Sequence, residues 1–329
     1  MFATGERTAK LACLIATAGW IAAAPIVAIA QDHYPSRPIR IITPGGPSAV
    51  ADMLPRIVGE RLAAKWGQPV VVESRPGAAN NIAAEAVARA EPDGYTLFCA
   101  PPPALAINQS LYGKLPFDPG AFVPVTVIAA VPNVLVVHPN VPVSSLQELV
   151  AVAKASPDKL NYASAGSGST LHLSAELLMA VAGIRMVHVP YKSADPALID
   201  VLAGRVDMMF IPLGNALPHI KGGKLRALGV GSEKRVAAIS DVPTISETLP
   251  GFLSVAWFAI VAPPKTSPAI AAKLSDAISA TLRVPEVVSR LRELAAIPIG
   301  GSPAETAAFI KDETERWRKV IVAAGVKVE

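Results

Sequence analysis

Between an apolar segment, Leu160–Ala163, and an amphipathic one, Thr170–Ala182, the chain reads Ser164-Ala165-Gly166-Ser167-Gly168-Ser169. Glycines at such a junction let backbone N–H groups approach a guest closely. The start of a helix leaves its first N–H donors unpaired at the positive end of the dipole. Hydroxyls on Ser164, Ser167 and Ser169 add donors that can orient a carboxylate. The chemistry these residues offer is anion binding, and an ordinary strand-to-helix turn with Ser169 or Thr170 as N-cap is the reading they leave open beside it. A second anion-competent turn, Pro44–Ala51, follows the first apolar strand. Two such turns, one in each half of an α/β alternation, imply a ligand held from both sides.

Signatures of catalysis are missing. The histidines are His33, His138, His172, His188 and His219, with no pair at helical metal-ligand spacing. The two cysteines, Cys13 and Cys99, cannot build a thiolate zinc site. The Gly/Ser-rich loop lacks the Lys-Ser/Thr of a nucleotide P-loop and the Gly-x-Ser-x-Gly frame of a nucleophile elbow. The expectation is a protein without metal or cofactor that is not an enzyme, with a secreted hydrolase acting through Ser167 or Ser169 as the alternative from another class. His172, in a helix's first turn, and His188, inside a strand, read as structural, and Cys99 reads as a small core residue.

These loops need elements to hold them. Pro38–Thr43 reads as a buried strand, Asp52–Trp66 as a helix, Val70–Glu73 as a strand, then an Ala-rich helix to about Ala90 and a strand at Tyr95–Ala100. The alternation restarts after about Val131 with strands at Asn133–His138, Leu160–Ala163, Arg185–Val189, Val206–Ile211 and Leu225–Val230, separated by helices. The last third holds one apolar run, Val255–Ala262, and helices near Ser267–Leu282, Pro285–Leu294 and Pro303–Ala324. A chain that builds one α/β lobe, leaves it for a second and then returns accounts for this order, with lobe 1 as residues 31–130 plus 254–329 and lobe 2 as 131–253.

Composition agrees. With 329 residues, 51% of them hydrophobic and 17% charged, the chain can fill about two cores and is not disordered. A net charge of +4, with no concentration of Lys or Arg, argues against a nucleic-acid partner. At the N-terminus, Arg7 and Lys10 precede an uncharged run, Leu11–Ala30, that ends Ala28-Ile29-Ala30. This is expected to be a secretory signal cleaved after Ala30, which places the mature protein outside the cytoplasm. Pro25 and the Ala-x-Ala ending favour cleavage over a membrane anchor.

Tyr34-Pro35-Ser36-Arg37-Pro38-Ile39-Arg40, Gly67-Gln68-Pro69-Val70-Val71-Val72-Glu73-Ser74-Arg75-Pro76-Gly77-Ala78 and Pro92-Asp93-Gly94-Tyr95-Thr96-Leu97 resemble the N-terminal lobe of the Bug family, the substrate-binding proteins of tripartite tricarboxylate transporters. The same order continues through Tyr162-Ala163 and the Ser164–Ser169 loop, His188-Val189-Pro190-Tyr191-Lys192, Asp200–Asp207, Gly223–Leu228 and Asp241-Val242-Pro243-Thr244. The resemblance implies a two-lobed periplasmic-binding-protein fold of type II, each lobe a mainly parallel sheet flanked by helices, with the ligand cleft between them.

It further implies capture of a small polar metabolite, an organic carboxylate, by a monomer that serves membrane permease subunits. Signalling to a sensor kinase is the alternative purpose. The family's glycines before Asp52 correspond here to Ser48-Ala49-Val50, its Gly-Gly after Ala78 to Ala79-Asn80, and its Gly after Lys192 to Ser193. Carried over position by position, the expected ligand contacts are Ser48, Ala49, Asn80, Asn81, Ser164, Gly166, Ser167, Gly168, Ser169 and Ser193.

Overall fold

The first arm of the fold comprises β1 (Ile39–Thr43), α1 (Val50–Trp66), β2 (Val70–Ser74), α2 (Asn81–Ala88) and β3 (Thr96–Ala100). A π-helical turn at Pro103–Ile107, α3 (Asn108–Leu111) and the long strand β4 (Val123–Val137) follow. The second arm contains α4 (Leu146–Ala155), β5 (Asn161–Ser164), α5 (Thr170–Ala182), β6 (Val187–Pro190), α6 (Ala194–Leu202), β7 (Met208–Pro212), α7 (Leu213–Lys221) and β8 (Arg226–Val230). The chain returns through β9 (Val255–Ala262), α8 (Pro268–Thr281), α9 (Pro285–Glu293), β10 (Ile297–Gly300) and α10 (Pro303–Ala324). This computed structural model describes residues 34–46 and 50–326, so the expected signal segment and the expected contacts Ser48 and Ala49 lie outside the described residues. By contacts the chain divides between Ser36 and Arg37, and every element named here belongs to the second unit.

The strands join in the order β2-β1-β3-β9-β4-β7-β5-β6, with β8 and β10 also paired to β4. Outer pairs are parallel: β1 with β2 and β3, β5 with β6 and β7. All pairs made by β4 and β9 are antiparallel, so each arm is a mixed sheet with its parallel part away from the crossing strands. This is the α/β architecture expected from the alternation, with β4 running through both arms.

Burial follows the period of two that a strand imposes. On β4, Leu135 and Val137 enter one core with Tyr162, Met208 and Phe210, while Val134 and Val136 enter another with Ala163, Met209 and Ile211. Leu146, Leu149 and Leu178 of α4 and α5 close the first face; Ala197, Val201 and Ala216 of α6 and α7 close the second. In the other arm, Ile42, Phe98 and Ala100 are covered by α2, by the π-helical turn and by Trp317 and Ile321 of α10.

Helix ends carry their stop signals. Ser145, Ser169 and Ser302 cap α4, α5 and α10 by accepting a backbone N–H, Ser302 and Glu305 forming a reciprocal capping box. Gly183 and Gly325 end α5 and α10 in the left-handed region.

The arms meet where three chain crossings are stitched together. Asn133 N–H donates to the Ser254 carbonyl at 3.1 Å, Gly231 N–H to the Asn133 carbonyl at 2.7 Å, and Ser254 N–H to the Gly231 carbonyl at 2.8 Å. The Asn133 side-chain amide donates to Ser254 Oγ at 2.9 Å, and Ser254 Oγ also bonds the Ser174 hydroxyl of α5.

Candidate functional site

In a parallel sheet the loops that leave the carboxyl ends of the strands converge on one edge, where α/β proteins bind ligands. The expected contacts lie on such loops: Ser48 and Ala49 after β1, Asn80 after β2 with Asn81 opening α2, Gly166–Ser169 after β5, which ends at Ser164, and Ser193 after β6. The β5 and β6 loops are physically joined. Tyr191 N–H donates to the Ser164 carbonyl at 3.1 Å, and Gly166, at φ 102°, lies so close to the Tyr191 carbonyl that a Cβ would stand 3.1 Å from it. Only glycine meets both conditions there.

Most polar groups of the loop are already committed. Ser164 is fully buried; its Oγ lies 2.6 Å from His188 Nε2 and accepts the Gly166 N–H at 3.1 Å. Ser169 Oγ donates to the Gly166 carbonyl at 2.7 Å and accepts the His172 N–H at 3.3 Å, so it is the N-cap that the turn reading foresaw. Gly168, buried at φ 79°, donates its N–H to His172 Nδ1 at 3.2 Å. Ser167 stands apart. It is exposed, and neither its hydroxyl, its N–H nor the Ala165 N–H has a hydrogen-bond partner among the described residues.

A stack of rings underlies this loop. Tyr162 and His188 face each other across β5 and β6 with ring centroids 4.9 Å apart, and His188 stacks on His172 of α5 at 4.2 Å. The Tyr162 hydroxyl donates to Glu176 at 2.6 Å, and His172 Nε2 faces the same carboxylate oxygen at 3.4 Å. Because Nδ1 of His172 accepts from Gly168, its ring proton resides on Nε2, toward Glu176.

Burial holds the His188 pKa down at about 4, helped by the neighbouring His172 and opposed by Glu176, so the ring is neutral at pH 7. Burial raises the Tyr162 phenol. Burial works to raise the Glu176 carboxyl too, but hydrogen bonds from His172 and Tyr162 bring it below its ordinary value. Sequence reasoning read both histidines as structural. The structure makes them structural in the service of the loop, a role visible only once β5 and β6 are paired.

In the first arm, Asn81 is buried and its Oδ1 accepts from Asn108 Nδ2 at 2.7 Å, while the same Nδ2 donates to the Ala79 carbonyl at 2.9 Å. Asn80, partly exposed, ends three successive residues in the left-handed region: Ala78 at φ 47°, Ala79 at φ 49° and Asn80 at φ 77°. L-alanine is strained there. The described part of the β1 loop is tied down by Thr43 Oγ1 donating to the Ala51 carbonyl at 2.8 Å and by Ser74 Oγ donating to the Gly45 carbonyl. Ser193 is exposed at the N-cap of α6 and makes no capping bond. The structure thus brings together Ser164 and Gly166–Ser169, with the Ser193 loop beside them. Among the described residues no hydrogen bond joins Asn80 or Asn81 to that group.

The serine beside a histidine is Ser164, which offers no exposed face to a substrate. Ser167 and Ser169, the residues a hydrolase would have used, touch no imidazole through their hydroxyls among the described residues.

Comparison with known proteins gives one family. Residues 54–326 match the tripartite tricarboxylate transporter family receptor, TctC. The chain is 37% identical over 324 residues to Protein BugT of Bordetella pertussis, which covers 98% of each chain. Among solved structures it resembles R. palustris Rpa4515 with adipate, at TM-score 0.85 and 36% identity over 89% of this chain and 99% of that one. MatC from Rhodopseudomonas palustris with bound malate gives TM-score 0.80 and 32% identity over 88% and 100% of the two chains. With its two-armed α/β sheet and these relatives, the chain belongs to the tripartite tricarboxylate transporter receptor family, the Bug-type periplasmic solute-binding proteins.

Proposed function

We propose that the protein captures a small organic carboxylate with the Ser164–Ser169 loop and delivers it to the membrane permease subunits of a tripartite tricarboxylate-type transporter. The observation that carries this reading is Ser167: an exposed hydroxyl and an N–H that have no partner among the described residues, on a loop whose neighbouring polar groups are mostly tied down, at the start of a helix. Such a group binds an anion without a buried counter-charge. The adipate and malate held by two structural relatives support a short dicarboxylate as the ligand.

The lobes of this reading are residues 31–130 with 254–329, and 131–253. The crossing at Asn133, Gly231 and Ser254 supports the division. Export with cleavage after Ala30 and action as a monomer complete it.

Calorimetric titration with malate, adipate and other mono- to tricarboxylates tests the reading on wild type and Ser167→Asp. At least one acid should bind wild type at a single site and be recovered unchanged. Removing even one charge-assisted hydrogen bond is worth about 1.5–3 kcal/mol, so the variant should bind at least about tenfold more weakly with an unchanged melting temperature. Binding of no carboxylate, or equal binding by the variant, refutes it.

A further inference from the structure

Away from the β5 loop, a cavity of about 680 Å³ opens beside the crossing strands, within the size range of small-molecule sites. None of its lining residues belongs to the loops described above. Trp257 and Phe309 form one wall, their rings meeting edge to face with centroids 5.2 Å apart. Ile297 and Ile299 of β10 form another and are 51% and 49% exposed, so a guest would remove two large apolar side chains from water.

The polar floor is internally satisfied. Glu313 accepts from Trp257 Nε1 at 2.7 Å and from Arg316 at 2.7 and 2.8 Å, and Arg316 also donates to the Leu253 carbonyl at 3.1 Å. The rim is different: Arg235 is paired with Glu247, but Lys234 and Arg292 have no ion-pair partner among the described residues. They outnumber Glu233, the one acid on the rim that is likewise unpaired there.

We propose that this cavity is a second small-molecule site, which takes an organic anion with an apolar body, such as an aromatic or medium-chain carboxylate. Its apolar walls hold the body and the two uncommitted cations at its mouth hold the charge. The rim comes from the segment after β8 and, at Arg292, from α9, and the walls come from β9, β10 and α10, so an occupant touches both sides of the crossing. This site does not depend on the carboxylate grip of the β5 loop.

The test uses two dyes of closely similar apolar body, the anionic anilinonaphthalenesulfonate and the uncharged phenylnaphthylamine, titrated into the purified protein by fluorescence. Wild type should show one saturable site that prefers the anion. Ala237→Trp, at an exposed position on the cavity lining, should weaken both dyes at least about tenfold by filling the space. Lys234→Gln with Arg292→Gln should weaken the sulfonate about fivefold and leave the amine unchanged, the scale expected of two exposed charges. Ser167→Asp should change neither dye. No saturable site, equal dye affinities in wild type, or binding untouched by Ala237→Trp or by the charge pair overturns the proposal, as does loss of dye binding in Ser167→Asp.

Discussion

Lowering the pH should weaken this fold through one histidine. His188 packs against both Tyr162 and His172, with the Glu176 carboxylate acting on it, and its pKa in the folded protein is about 4 against an ordinary 6.5. The folded value is the lower one, so as pH falls the unfolded chain takes up the proton first. The stabilisation is whole above about pH 6.5 and is lost as pH drops toward 4. Between about pH 7 and about pH 4.5 the full shift would be worth about 2.5 kcal/mol, and because the ring is only half buried, solvent screening brings the loss from this group to about 1–2 kcal/mol. Urea unfolding at both pH values measures it, and carboxylates that titrate in the same range are separated by repeating the pair with His188→Phe. That variant keeps an aromatic ring in the stack and leaves the Ser164 hydroxyl bonded to Gly166. Wild type should lose about 1–2 kcal/mol more than the variant over the interval. If both lose the same amount, the neutral half-buried histidine is not what the stack contains.

The loop and its strain give two further outcomes. His172→Leu leaves the buried Gly168 N–H without an acceptor, at about 1–3 kcal/mol, and should lower the melting temperature by about 2–6 °C. His172→Gln, which restores an acceptor, should recover part of the loss, and a leucine variant melting with wild type would contradict the bond to Gly168. Ala79→Gly should raise the melting temperature by about 1–4 °C, because a left-handed L-residue costs about 1–2 kcal/mol and glycine gives part of that back as unfolded-chain entropy. A lower melting temperature would contradict the left-handed turn before α2.

Where signals were local, the sequence could be read. Thr170–Ala182, Val255–Ala262 and Pro303–Ala324 were expected with the limits they have, since Ser169, Ser302, Gly183 and Gly325 are side-chain or backbone stop signals and the β9 run is apolar throughout. The expectation placed the start of β4 at Asn133, but it begins at Val123. Pro124 and Pro132 punctuate that stretch, and the register shifts between Pro124 and Thr126 and between Val127 and Ala129 let the strand absorb them. β10 was missed for the same reason, being Ile-Pro-Ile-Gly.

At the site, the loop was legible from its glycines and serines, but its free donors were not. Ser164 is withdrawn by His188, a residue 24 positions away that reaches it only through strand pairing, and Gly168 is withdrawn by a histidine one turn into α5. Among the described residues, the donors of this loop left without a partner are the Ser167 hydroxyl and N–H and the Ala165 N–H.

The closing of the first arm by Trp257, Trp317 and Ile321 sets an order of folding. Ile42 and Phe98 belong to strands made early and are covered in part by α2 and the π-helical turn, but Trp317 and Ile321, which complete the cover, come from the last helix. Until β9 and α10 have been synthesised, that face of the sheet is only partly covered, and contacts so distant in sequence form slowly. A growing chain of this design completes that core only when its final helix is free, and a fragment ending before Pro303 would expose part of the Phe98 and Trp257 floor to aggregation.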